Sequence, residues 1–126
     1  MKQNSRVMIS GHVNITEREF FDYYPVRIER AMELGCTIFV GDAPGADSMA
    51  QKYLYEREYF KVIVCHAYNS PRNNFGDFLT IGGFKSYTER DAFMTKQTSY
   101  DIAWVRPGKE RSGTAKNLER RASLTK

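Results

Sequence analysis

The stretch "CTIFVGDAPGADSMAQKYL", Cys36 to Leu54, changes character twice within nineteen residues. "CTIFV" is a short apolar, β-rich run. After the turn, Ala46, Met49, Ala50, Tyr53 and Leu54 recur at i, i+3, i+4, i+7 and i+8, the spacing of one helix face. Between them "VGDAPGAD", Val40 to Asp47, packs two glycines, a proline and two aspartates into eight residues. A strand feeding a helix through a glycine-rich turn is the building unit of α/β folds. The junction has two readings: a tight turn, or a surface against which a ligand's phosphate or ribose rests.

Working outward, the same alternation repeats. "RVMIS" (Arg6 to Ser10) is a β-rich run ending at Gly11. Thr16 and Glu19 have the spacing of a capping box, which opens a helix to about Tyr23. Pro25 then starts a second helix, where its missing N–H costs little, and Gly35 ends it. "FKVIVCHAY" (Phe60 to Tyr68) is a third strand with almost no alternation, as in a strand covered on both faces. Residues 69–85 hold Pro71 and three glycines and read as a long surface loop, functional or mobile. Ser86 and Glu89 form a second capping box before a helix to about Thr98. "DIAWV" (Asp101 to Val105) is a fourth strand, and a last helix begins near Thr114. The expected fold is a single α/β domain over 1–126: a Rossmann-like three-layer sandwich with a mainly parallel sheet of four or five strands and helices on both faces.

Composition narrows the partners. Hydrophobic residues make up 41% and charged residues 27%, the mixture of a globular chain rather than a disordered or fibrous one. A net charge of +4 suits anionic ligands without singling out nucleic acid. Much of the excess lies in Lys109, Arg111, Lys116, Arg120, Arg121 and Lys126, a cluster that reads first as a solvated face. No apolar run approaches the ~18 residues of a membrane span. Cys36 and Cys65, with no leader-like start, read as reduced buried thiols in a cytoplasmic protein. His12 and His66 are the only histidines and no metal-ligand spacing occurs, so neither metal nor cofactor is expected.

Ligands of open α/β sheets bind at the carboxyl ends of strands, where strand order reverses. Three glycine-bearing junctions fall at such ends: "SGH" after the first strand, "GDAPGAD" after the second and "PGKERSGT" after the last. Glycine lets a backbone approach a ligand, and the N–H groups of the following helix favour a phosphate. Three such junctions at one sheet edge point to a shared pocket.

The set "ISGH" (9–12), "VGDAPGAD" (40–47), "RD" (90–91), "YDIAWV" (100–105) and "SGTAKNLE" (112–119) resembles a small stand-alone member of the SLOG superfamily. These are Rossmann-like domains related to the Lonely-guy cytokinin enzymes and to the DNA-processing protein DprA. The YspA-type branch, with its "GGARGAD"-like loop and "SGT" before the last helix, is the most similar. The resemblance covers nearly the whole chain, each motif weak alone and the ordered set fairly specific. It implies binding of a nucleotide or nucleotide-derived molecule. Gly11 and His12 would approach the base or ribose; Gly41, Asp42, Gly45, Ala46 and Asp47 would form the second loop. Ser112, Gly113 and Thr114 would hold a phosphate, with Arg106, Lys109 and Arg111 either adding charge or simply solvated. For Asp47 a helix cap and a ribose or catalytic contact stand as equal alternatives.

Cytokinin-type members carry "PGGxGTxxE", whose acidic residue three positions past the threonine is needed for chemistry. Here that position is Asn117, the motif's first two glycines are absent, and Glu119 lies about 200° further round the helix. N-glycosidase activity by that route is therefore not expected. Asp42, Asp47, Glu89 and Asp91 remain as carboxylates that could serve a nucleoside monophosphate N-glycosidase or a deoxyribosyltransferase-like enzyme, with Asp47 and Asp42 foremost. The favoured expectation is a binding module that senses, carries or sequesters a nucleotide, as a phage-encoded member would against a host's nucleotide signal. A DprA-like nucleic-acid binder is the weakest reading, since the tyrosines and phenylalanines fall in elements expected to pack. A homodimer or higher oligomer, paired through helix faces, is expected.

Overall fold

The computed structural model describes residues 1–124, so Lys126 of the basic cluster lies outside the described residues. Helix starts follow local chemistry. The Thr16 hydroxyl accepts the Glu19 N–H (3.1 Å) while Glu19 accepts the Thr16 N–H (2.9 Å), opening α1 (Glu17–Tyr23). Tyr24 closes α1 and opens α2 (Pro25–Glu33), with Pro25 in its first turn. Ser86 caps α4 (Tyr87–Gln97) by accepting the Glu89 N–H. The expected reciprocal half is different: Glu89 accepts from Lys85 N–H instead.

The strands β1 (Arg6–Ile9), β2 (Thr37–Gly41), β3 (Val62–Ala67), β4 (Leu79–Phe84) and β5 (Tyr100–Ile102) form one sheet in the order β4-β3-β2-β1-β5. Every pairing is parallel. After β1 the chain steps one way through β2, β3 and β4 and then returns to the far side of β1, so strand order reverses at β1 and β5. Side chains alternate across a strand, and β1 divides accordingly. Val7 and Ile9 join Phe20, Tyr24, Ile28, Ala50 and Leu54 of α1, α2 and α3 (Ala46–Glu56). Met8 instead joins Phe39, Cys65 and Met94, the last from α4. The α/β sheet expected from the sequence is present, with five strands, all parallel.

Two expectations need correction. Residues 69–85 are not all loop, because β4 occupies Leu79–Phe84 at the sheet edge. Nor is the remainder loose: Asp42 accepts the Arg72 N–H (2.8 Å), and the fully buried Gln51 donates to Asn73 O and accepts the Phe75 N–H. The last strand stops at Ile102 rather than Val105 because side chains take the next backbone groups. Arg27 donates to Ala103 O (2.8 Å), and Trp104 N–H donates to the Tyr24 hydroxyl (3.2 Å). Cys36 and Cys65 are buried free thiols. Among the described residues no helix is long and apolar enough to cross a membrane.

Candidate functional site

The carboxyl ends of β1 and β2 and the start of α5 (Gly113–Leu124) enclose a cleft of about 300 Å³ beside the reversal of strand order. Gly11, His12, Gly41, Asp47, Ser112, Gly113 and Thr114 line it, from all three glycine-bearing junctions. Asp42, Gly45 and Ala46 do not.

The first two junctions are bound to each other. A Cβ on Gly11 would lie 2.3 Å from the Tyr24 hydroxyl and 2.4 Å from Ala46 Cβ. Gly45 has φ +82°, and a Cβ there would meet Val13 O at 2.4 Å and His12 O at 2.5 Å. The Ala46 N–H donates to His12 O (3.1 Å). Gly45 and Ala46 thus dock the start of α3 onto the loop after β1. The Tyr24 hydroxyl ties that region to the segment after β5, donating to Ser10 O (2.7 Å) while accepting from Trp104 N–H.

The aspartates of this junction face a buried arginine. Asp42 accepts from Arg90 (2.7 Å) and Arg72 (3.0 Å) and is itself buried. Burial alone would raise its carboxyl; the Arg72 guanidinium and N–H, with the charge of Arg90, outweigh that and hold it below the usual range. Asp42 anchors residues 72–73 and is not among the residues that line the cleft. Asp47 is neither the helix cap nor exposed: Gly45 occupies the N-cap position, and Asp47 accepts the Ala43 N–H (3.2 Å) while 5% exposed. Burial pushes its carboxyl up to about 7 despite the nearby Arg90. Arg90 also pairs with Asp91 (2.9 Å), whose other oxygen accepts from Asn117 (3.3 Å).

His12 is a local hydrogen-bonder. Its Nε2 accepts the Arg106 N–H (2.8 Å), which makes it the unprotonated ring nitrogen, and the ring stands edge-on to Trp104 at 5.9 Å. Burial, then the Arg106 charge, lowers its affinity for a proton. Arg106 is itself committed to Glu19 (2.7 Å) and Asn14 (3.1 Å). Among the three loop cations only Lys109 lines the cleft. Glu89, another candidate carboxylate, is exposed and absent from the lining.

The third junction is open. The Ser112 hydroxyl accepts the Ala115 N–H (3.2 Å), and Ser112 O accepts the Lys116 N–H (3.0 Å). The N–H groups of Gly113 and Thr114 precede the first intrahelical bond, and both residues line the cleft. A Cβ on Gly113 would meet nothing within 4 Å. Ser10, 8% exposed, also lines the cleft, and its hydroxyl has no hydrogen-bond partner among the described residues.

Sequence reasoning did not single out Ser10 or Arg90 for the site. Arg90 had a signal: two aspartates in one buried turn require a cation, and "RD" opens a helix that must pack on the sheet. Ser10 had none, because its lack of a partner exists only in three dimensions. The arrangement can donate hydrogen bonds to an anion from two main-chain N–H groups at the start of α5, in a cleft that Ser10 and Lys109 also line. No protein-family model matches this chain, and no curated protein matches it significantly.

Proposed function

We propose that the cleft binds a nucleotide or nucleotide-derived small molecule, its phosphate seated on the N–H groups of Gly113 and Thr114. The observation that carries this reading is the pairing of an unsatisfied hydroxyl with unused donors. Ser10 Oγ is buried without a partner among the described residues, and Ser10 lines the cleft together with the start of α5. A buried polar group left unpaired costs on the order of 1–3 kcal/mol, and a ligand oxygen that reached the Ser10 hydroxyl would remove that cost. Helix N-termini favour phosphate through their free N–H groups and dipole, and Lys109 adds positive charge at the same wall. The resemblance to SLOG domains supports the same assignment, with sensing, carriage or sequestration as the role. Purified protein, heat-denatured and analysed by mass spectrometry, should release a phosphorylated nucleoside derivative. Release of only non-phosphorylated compounds would overturn the reading.

A second reading has one observation in its favour: Asp47, pushed up to about 7, lines the cleft and could deliver a proton to a departing base. Against it, the Asp47 carboxylate accepts the Ala43 N–H, and Asn117 occupies the position where an acid would act. Incubation with nucleoside monophosphates should release no free base above background. Steady release that vanishes in Asp47→Asn would establish the enzyme.

A further inference from the structure

The ends of β1 and β2 bring two under-used polar groups to neighbouring places in the cleft. The two strands pair Met8 with Phe39 and Ile9 with Val40. Ser10 and Gly41 come next, and alternation sets both on the face of Met8 and Phe39, toward α4. A Cβ on Gly41 would meet Asp47 Oδ2 at 2.5 Å and the Arg90 guanidinium carbon at 3.1 Å. The Asp47 carboxyl thus takes the place of the side chain that position 41 lacks, one strand over from Ser10.

Among the described residues Asp47 accepts a single hydrogen bond, from Ala43 N–H to Oδ2, and belongs to no ion pair. Its Oδ1 is left unpaired. Ser10 Oγ is the one unpaired side-chain oxygen or nitrogen sealed from solvent among the described residues. Oδ1 therefore reaches open space although Asp47 is buried, and the space that Asp47 borders is the cleft. The surrounding charges do not call for another anion. Arg90 of α4 and Arg72 already balance Asp91 and Asp42. Tyr24, between α1 and α2, and Cys65 of β3 are both pushed up to about 12 by burial and stay neutral. The other ionisable side chains lining the cleft are Lys109 and His12, the latter unprotonated at Nε2.

We propose, resting on the phosphate reading above, that Asp47 meets the ligand as a neutral carboxylic acid, Oδ1–H donating a hydrogen bond to an acceptor atom of the nucleotide beside the Ser10 hydroxyl. A carboxylate there would add an unbalanced negative charge next to an anionic ligand. Where the free protein has lost this proton, binding takes one up from solvent, and no other bond changes. The ligand class narrows accordingly: the group that meets Asp47 is a carbonyl oxygen or ring nitrogen. An amino group would instead call for the carboxylate.

Asp47→Asn makes the donor permanent. Its amide oxygen can accept the Ala43 N–H as Oδ2 does, which sets the amide N–H in the place of Oδ1. Calorimetry of both proteins with a panel of nucleoside 5′-phosphates, one pH step either side of about 7, reads the coupling. Burial pushes the Asp47 carboxyl up to about 7, so from the lower to the higher pH the unmodified chain should lose about tenfold in affinity relative to Asp47→Asn. Taking the ratio of the two proteins cancels the ionisation of the ligand's own phosphate. At the higher pH the heat of binding to the unmodified chain should vary with the buffer's ionisation enthalpy, by close to one proton taken up. Asp47→Leu, with neither donor nor acceptor, should bind more weakly than Asp47→Asn at both pH values. A ratio that does not change with pH, or weaker binding by Asp47→Asn than by the unmodified chain at the higher pH, would overturn the proposal and leave the phosphate seat standing. Nucleosides binding as tightly as their phosphates, or no binding to either protein, would overturn the phosphate reading and this proposal with it.

Discussion

Two strand-to-helix junctions of this chain look alike in sequence and differ in what they do. "GDAPGAD" leads from β2 into α3, and "RSGT" leads into α5; each sets glycine and a polar residue at a helix start. In the first, Gly41, Asp42 and Gly45 make contacts within the fold. Gly45 admits the carbonyls of His12 and Val13, Gly41 leaves room for Asp47 and Arg90, and Asp42 is held by two arginines. In the second, Gly113 has empty space beside it, and the first two N–H groups of the helix precede its first intrahelical bond and line the cleft. A glycine-rich turn is therefore not by itself a ligand site. What distinguishes a site is the donor or hydroxyl that the fold has left unsatisfied.

The contrast can be broken by substitution. Replacing Arg90 with methionine removes the cation shared by Asp42, Asp91 and the buried Asp47. Loss of roughly 3–5 kcal/mol of folding stability is expected, the range for stranding buried charge, measured by urea denaturation. Gly45→Ala forces a Cβ into two carbonyl oxygens at positive φ and should cost about 3 kcal/mol. Gly113→Ala should leave the same denaturation curve nearly unmoved. Equal losses at the two glycines would erase the distinction.

Acidity sharpens it further. Asp47 titrates higher in the folded chain, at about 7, than in the unfolded one at 3.8. Between those values the folded state holds the extra proton, so stability falls as pH rises from about 4 through 7. The slope for one such proton is about 1.4 kcal/mol for each pH step of one. Asp42 has the opposite sign: its carboxyl is depressed, so its contribution is present above 3.8 and lost as pH falls through its folded value. Asp47→Asn should flatten the neutral limb of the stability profile and leave the acid limb in place. A neutral limb of unchanged slope would contradict the buried, protonated Asp47. The smallest effect belongs to Lys109, which lines the cleft at its solvent side. Lys109→Ala should weaken nucleotide binding a few-fold, about 0.2–1 kcal/mol, and reduce its salt dependence. Calorimetry at two salt concentrations measures both.

How much of this was readable beforehand depends on whether the determinant was local. The Thr16–Glu19 box, Pro25 at a helix start and the unalternating β3 each act through neighbouring residues, and each element formed where expected. Strand β4 could not be read that way. Its two glycines and exposed positions carry no pattern, and pairing with β3 alone makes it a strand. The glycines of "GDAPGAD" were rightly marked as special, but for ligand approach, whereas Gly45 serves the contact between two loops. Ser10 was legible only once β1, α4 and α5 came together, whereas Arg90 had a signal in the two aspartates of the turn that it faces.

The central claim is that the opening of α5 is a phosphate seat. Isothermal calorimetry of the unmodified chain and Gly113→Val, with a panel of nucleoside 5′-phosphates and the matching nucleosides, tests it most directly. The valine enters open space, so the melting curve should barely change. Its bulk would bar a phosphate from the N–H groups. Loss of two hydrogen bonds to a charged group, at ~1.5–3 kcal/mol each, should weaken binding by about a hundredfold or more. Nucleosides should bind the unmodified chain comparably poorly. Equal affinities of the two proteins for a nucleotide, or nucleosides binding as well as nucleotides, would contradict the account.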